Sequence, residues 1–410
     1  MAYPRQSVEL APKEFVGLAR SLFVSPLASG VAVRRFEDSL AKLLGVRFAI
    51  SFGSQRSGAL AVLKALSPRD GDESIVPAYT FFSVPACVVL AGFRPVFVDV
   101  DRATWNLDPS QVRSAVTSRT RAIIVTHLNG CPADVAALVR IAAEHGLVLV
   151  EDCAQALGAH FQSKPVGSFG IGCFSFGEGK NLYTMGGGLV TTEDENLAGR
   201  LRDFQSQGRD PGFLETFAKI GRLLLYRAVT TPLIFSWTAF PAIYLASLRN
   251  GRIDTEQEHC LNRMPADPFS TKLSNVQAAL GSAQLERLEE RNQRRVENAG
   301  LLTEMLRGVK DLGLPPDPKD RTHLYLHYAV CVKDREGFVR RLIQRGVDAQ
   351  RDYCSFCPSL PDFRNYAPSG LKAPQAQAVA GNIAYLPNQP SLKSMDMRRI
   401  ACHVREILSK

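Results

Sequence analysis

The sequence predicts an α/β protein whose larger part is a mostly parallel sheet sandwiched by helices. Apolar strand-like runs alternate with helix-like runs through the first half, and that alternation is the mark of a parallel sheet. The chain has 410 residues, enough for a large core and a second unit. Its composition, 45% hydrophobic and 22% charged, is that of an ordinary globular protein.

In order, residues 48–52 (Phe-Ala-Ile-Ser-Phe) read as a strand and 57–66 as a helix; 74–77 read as a short strand and 82–90 as a helix. Residues 95–100 and 121–126 read as strands, 133–145 as a helix, 147–150 as the next strand and 172–176 as another. Around residue 205 the pattern changes. Residues 223–248 are strongly apolar but contain Arg227, Pro232 and Pro241, which argues against a simple membrane span. Two readings stay open for this stretch: helices packed on the domain or a partner subunit, or a surface that touches a bilayer or lipid substrate. From Ser274 a helical pattern runs to about Leu306, with Val276, Leu280, Ala283, Leu285 and Leu288 as its apolar stripe. Beyond it, 328–332 and 382–386 read as strands and 335–345 as a helix. The expected organisation is a large domain over 1–255, with an apolar helical insertion at about 210–255. A connector helix and a smaller C-terminal α+β domain follow over 256–410.

The net charge is +9. No block of lysine and arginine resembles a nucleic-acid arm; the densest basic stretch, 287–295, is interleaved with glutamates and reads as a solvated helix face. Nine scattered cysteines fit reduced thiols better than a disulfide framework. The first twenty residues mix Arg5, Glu9, Lys13 and Glu14 with apolar ones, unlike a signal peptide. A cytoplasmic protein is expected, with membrane association through 223–248 the alternative. The lone Cys354-Ser355-Phe356-Cys357 has no second pair and the seven histidines lack ligand spacing, so no metal is expected. No GxGxxG opens a βαβ unit, which argues against a nicotinamide site.

The chemistry points elsewhere. Glu151-Asp152-Cys153-Ala154-Gln155 closes an apolar run, and Phe174-Ser175-Phe176-Gly177-Glu178-Gly179-Lys180-Asn181 precedes the glycines 186–188. An acid at a strand end and a lysine beside a serine and glycines are what pyridoxal phosphate requires: the lysine carries the aldehyde as an imine and moves protons, and the acid keeps the pyridine nitrogen protonated. The loop Gly53-Ser54-Gln55-Arg56-Ser57-Gly58, between a strand and a helix, offers amides and hydroxyls to a phosphate, with Arg56 adding charge and Ser175 a second hydroxyl. Phe81, where a strand gives way to a helix, could stack on the ring.

Five stretches carry a family resemblance: 95–101 (Pro-Val-Phe-Val-Asp-Val-Asp), 127–134 (His-Leu-Asn-Gly-Cys-Pro-Ala-Asp), 151–155, 174–181 and 274–279 (Ser-Asn-Val-Gln-Ala-Ala). With them the chain, from about Phe36 to Leu408, resembles the DegT/StrS-type aminotransferases, pyridoxal-phosphate enzymes of fold type I that mostly act on nucleotide-linked keto sugars. The resemblance implies a seven-stranded-type sheet and a homodimer with active sites at its interface. It implies Lys180 as the imine lysine, Asp152 as the acid on the ring nitrogen and Gln155 as a glutamine near the ring's phenolic oxygen. It also implies Ser175 as a phosphate serine and Phe81 as the stacking aromatic. The phosphate loop, usually Ser-Gly-Thr, is Ser54-Gln55-Arg56 here; positions usually Asn and Arg, supplied by the partner subunit, are Ser270 and Lys272; an acidic position after the lysine is Gly186. The expected reaction moves an amino group from L-glutamate to a keto sugar, with a nucleotide-linked one expected. The alternatives are a lipid-linked or membrane-presented carbonyl acceptor, or a regulatory relative that binds the cofactor without turnover.

Overall fold

A computed structural model of the chain describes residues 1–24, 30–248, 260–265, 267–351, 353–368 and 370–409. Seven strands make the main sheet: β1 Phe48–Phe52, β2 Glu73–Pro77, β3 Arg94–Val98, β4 Thr120–Thr126, β5 Val148–Asp152, β6 Ile171–Ser175 and β7 Gly188–Thr192. Their order is β1-β7-β6-β5-β4-β2-β3. From β6 to β3 all neighbours are parallel, while β7 runs antiparallel to both β6 and β1. β7 is the strand without a sequence reading above, because the glycines that precede it mask its start.

Successive strand residues point to opposite faces, and both faces are covered. Ile50, Val76, Ile124, Val150, Cys173 and Val190 pack on one side with helices Gln55–Ala65, Ser83–Ala91 and Glu195–Gln207. Their neighbours Ile75, Ile123 and Leu149 pack on the other side with helix Val135–His145, and Ala49, Phe174 and Leu189 with helix Val31–Leu44. Helix Val135–His145 begins two residues later than the apolar pattern suggests. Asp134 sets the start, its side chain accepting from Ala137 N–H (3.1 Å), and Gly146 in the left-handed region ends it.

A second, antiparallel sheet consists of β8 Leu312–Gly313, β9 Tyr328–Val332 and β10 Ile383–Leu386, in that order. Helices Leu288–Leu306, Arg335–Gln344 and Ser394–Leu408 share its core, through Leu302, Phe338, Leu342, Ile400 and Val404. The helical pattern from Ser274 is not one helix. It divides into Asn275–Leu285, opened by a Ser274–Gln277 capping box, and Leu288–Leu306. The first helix packs Val276 and Leu280 beside Met185, and the second packs on the small sheet, so the chain turns at 286–287 to serve two cores. The apolar stretch is likewise three helices, Phe213–Val229, Pro232–Trp237 and Ala239–Leu248, the second opened by Pro232. No described helix is long and apolar enough to cross a membrane.

The first ten residues tie these parts together. Tyr3 bridges Val347, Arg5 pairs with the buried Asp348 (2.8 Å), and Val8 and Leu10 pack with Ile220 and Leu223 of the first apolar helix.

Gly188 is forced by proximity. A Cβ there would lie 2.4 Å from Gln55 N and 2.5 Å from Gln55 Cα. Gly188→Ala is therefore expected to lower stability by about 1–3 kcal/mol; urea denaturation with an unchanged slope is the check.

Candidate active site

The strand directions place the site. β1, β5 and β6 all run the same way, and residues 52, 150 and 173 share one face, so Ser54, Asp152 and Ser175 emerge together at the carboxyl end of the sheet. All eight residues singled out from the sequence, Ser54, Gln55, Arg56, Phe81, Asp152, Gln155, Ser175 and Lys180, line one cavity of about 980 Å³.

Asp152 lies in the floor, 5% exposed. Its Oδ1 accepts from Ala154 N–H (3.1 Å) and from the Gln55 amide (3.4 Å). Burial raises its pKa above the ordinary carboxylate value, against the lowering effects of the Ala154 amide and of Lys180 and His127. A buried carboxylate held this way favours a cation against it. The adjacent Glu151 points to the opposite face and anchors the strand end. It accepts from Gly167, Phe169 and Gly170 N–H (2.8–2.9 Å) and from His127 Nε2 (3.1 Å). His127 Nδ1 accepts from Ala133 N–H (3.1 Å), which fixes the proton on Nε2. Burial pushes Glu151 up, but the imidazole and amides outweigh it and hold its pKa below 4.5. His127, Glu151 and Cys153 lie within 4.8 Å of one another, a metal-like grouping, yet hydrogen bonds already use both nitrogens of the histidine and both oxygens of the glutamate.

Gln155, 2% exposed, accepts from Asn129 N–H through Oε1 (2.8 Å), which fixes its amide plane. Ser54 caps helix Gln55–Ala65 by accepting from Ser57 N–H (3.1 Å). The first intrahelical bond is Gly58 N–H to Ser54 O (3.2 Å), so the amides of Gln55 and Arg56 precede the helical ladder and form a ready anion site. Ser175 Oγ accepts from Gly177 N–H (3.3 Å). Arg56 donates to Arg263 O (3.2 Å) across the cavity wall.

Lys180 Nζ donates to Tyr353 Oη (2.6 Å). Tyr353 was not anticipated. It sits 173 residues from Lys180, with its ring 5.8 Å from Phe81 and 4.2 Å from His327. His327 is buried, and neither ring nitrogen has a hydrogen-bond partner; burial, then the charges of Lys180 and Arg295, lower its pKa to about 3, so the ring is neutral. Arg5, Gln6, Arg263 and Gln350 also line the cavity unannounced, because only tertiary packing brings them there. The cysteine pair 354/357 follows Tyr353, and Cys357 Sγ donates to Thr80 O (3.5 Å), which helps to seat that segment on residues 79–80.

Tyr353→Phe removes the partner of Lys180 while keeping the ring. It is expected to slow reaction with the amino donor about 10- to 100-fold, the worth of a hydrogen bond to a charged group. Single-turnover kinetics across pH tests this: an altered pH profile is expected, which a purely structural role would not produce.

The sequence profile described as the DegT/DnrJ/EryC1/StrS aminotransferase family matches residues 13–223 and 244–405. A UDP-N-acetyl-3-dehydro-alpha-D-glucosamine 3-aminotransferase of Acidithiobacillus ferrooxidans is 30% identical over 394 residues, 96% of this chain and 93% of that protein. A pleiotropic regulatory protein of Geobacillus stearothermophilus is 28% identical over 405 residues, 98% of this chain and 96% of its own length. The crystal structure of the aminotransferase TlmJ from Streptoalloteichus hindustanus superposes with a TM-score of 0.80 at 27% identity, covering 100% of this chain and 99% of the other.

Proposed function

The chain belongs to the DegT/DnrJ/EryC1/StrS aminotransferase family, and from that premise we propose that this pyridoxal-phosphate-dependent aminotransferase moves the amino group of L-glutamate to a nucleotide-linked keto sugar. The observation that carries the reading is the convergence of Lys180, Asp152 and the helix amides at Gln55 and Arg56 on one cavity. When bound, the cofactor supplies an aldehyde that takes up the amino group and a protonated ring that accepts electrons from the substrate carbon. The residues present fit it. The buried Asp152 favours a proton on the ring nitrogen. The Ser54 and Ser175 hydroxyls and the helix amides suit its phosphate. Phe81 would cover the ring, and Gln155, pinned by Asn129, would face the ring oxygen.

Lys180 would be the amine that holds the aldehyde, and its Nζ, when free, would serve as the base and acid that moves a proton, with Tyr353 Oη, 2.6 Å away, holding the amine in place. The cavity is at the large end of small-molecule sites. Arg5, Arg56 and Arg263 in its wall suit the diphosphate of a nucleotide sugar. The similarity to an aminotransferase of a UDP-linked sugar supports the same substrate class. A homodimer, typical of the family, completes the reading, with Ser270 and Lys272 in the loop that would reach the partner's phosphate site, and the nine scattered cysteines fit a reducing cytoplasm.

The test is a half-reaction. Mixing the loaded enzyme with L-glutamate should release one equivalent of 2-oxoglutarate per site, and a panel of UDP-linked keto sugars should then consume the aminated form. Failure of every amino donor would instead favour a regulatory role like that named for the Geobacillus relative.

A further inference from the structure

We propose that a polar chamber beside Lys180 holds a chain of buried waters, through which Nζ exchanges its proton with solvent by way of Glu9. The inference rests on the role given to Lys180 above. The chamber measures about 50 Å³, room for a few waters but not for a sugar or an amino acid. It shares Arg5, Gln6 and Lys180 with the active-site cavity. It shares Ser7, Val8 and Glu9 with an open groove of about 260 Å³ between the N-terminal segment and residues 227–232. Lys180 therefore belongs to the wall between cavity and chamber, and the half-buried Glu9 to the wall between chamber and groove.

Hydrogen-bond accounting identifies the occupant. Glu9 Oε1, Asn181 Oδ1, Asn388 Oδ1 and Gln389 Oε1 are buried acceptors of lining residues with no partner in the protein, and Arg291 Nε and Arg295 Nη1 are buried donors in the same condition. Neutral His327 adds one donor and one acceptor, both unpartnered. The amides are correctly turned: Asn388 Nδ2 donates to Tyr325 O (2.7 Å) and Gln389 Nε2 to Pro4 O (2.8 Å), so their oxygens are the ends left over. An inorganic anion would meet four oxygens, and a metal ion two guanidinium groups; water both gives and takes. Arg295 and Glu9 show the link best. Arg295 is 8% exposed, and burial lowers its pKa to about 10, with the charge of Glu9 opposing the fall. Neither Arg295 Nη1 nor Glu9 Oε1 has a hydrogen bond, so the two interact through what lies between them. Arg291, paired with the buried Glu14 (2.7 Å), donates to Glu9 O (3.0 Å) and fixes its backbone. His327, 4.2 Å from the ring of Tyr353, is the step nearest Lys180. Each proton that Nζ passes into the chain is replaced by one from the adjoining water, and Glu9 does the same with the groove. Charge and atoms balance without a co-reactant.

Isotope washout tests the route. The loaded enzyme is given L-glutamate deuterated at the α carbon, in ordinary water, and the pyridoxamine phosphate formed in one turnover is weighed by mass spectrometry. Protonated Nζ carries three protons, so without exchange about one deuteron in three would reach the cofactor. The wild type should lose nearly all of it, and Glu9→Gln, which keeps the shape of the side chain, should restore retention toward that third. Full retention by the wild type overturns the proposal, and so does washout as complete in Glu9→Gln as in the wild type. A crystal structure of the cofactor-free enzyme gives a readout independent of turnover. Ordered waters should join Arg295 Nη1 to Glu9 Oε1; a dry chamber, or a bound ion in their place, overturns the proposal as well. If glutamate yields no 2-oxoglutarate, the catalytic reading is what fails, and the crystal structure still decides for or against the waters.

Discussion

Replacing Lys180 by alanine lowers turnover by more than about 10⁴-fold and removes the visible absorbance of the bound cofactor. Two functions are lost at once: the amine that holds the aldehyde and the base that shuttles the proton. The arginines of the cavity wall, Arg5, Arg56 and Arg263, carry guanidinium groups that form no imine, and His327, beside Tyr353, has its pKa lowered to about 3. Phe81 packs on Phe82, and Asp152 is held by Ala154 N–H and the Gln55 amide, so the variant should fold and still bind cofactor weakly. Absorbance spectra of the purified variant, with added small amines as a rescue, check this. Full activity in the alanine variant would remove the assignment.

Asp152→Asn is expected to lower turnover on the order of 10³-fold, because a neutral amide no longer holds the proton on the ring nitrogen. Its effect on stability should run the other way. The folded pKa of Asp152 is raised above the ordinary 3.8 by burial, so the cofactor-free folded chain binds this proton more tightly than the unfolded chain does. Stability therefore falls as pH rises from about 3.8 through the folded pKa, and the penalty persists at neutral pH. Asparagine removes it. The cofactor-free variant should melt at or above the wild-type temperature at pH 7 and gain less from added cofactor. Thermal scans with and without cofactor measure both; a variant that melts lower without cofactor contradicts the argument.

Much of this site was legible in the sequence because its chemistry demands particular residues at strand ends. Ser54, Asp152 and Ser175 each follow or end an apolar run, and parallel strands of one sheet bring such ends together without further information. Lys180 is five residues beyond Ser175, and Gln155 three beyond Asp152, so local spacing carried them too. Tyr353, Arg5 and Arg263 had no such signal. They reach the cavity through packing of the small sheet, the N-terminal segment and the 260–265 segment, and nothing in their neighbours announces it. The fold shows the same division. Strands with alternating apolar residues were plain, whereas β7 was hidden behind glycines. The turn at 286–287 contains neither proline nor glycine, because two separate cores impose it.

The N-terminal segment has a mechanical consequence. Tyr3 and Arg5 are fastened to residues 347 and 348 beside the small sheet, Ala2 N–H bonds Ser236 Oγ (2.8 Å), and Gln6 lies against Gly179, next to Lys180. A rotation of the small sheet toward the large one must drag Arg5 and Gln6 along the cavity wall. Closing on a substrate and reshaping the wall that grips it are thus a single movement, and the strap also reaches the helices of the apolar stretch.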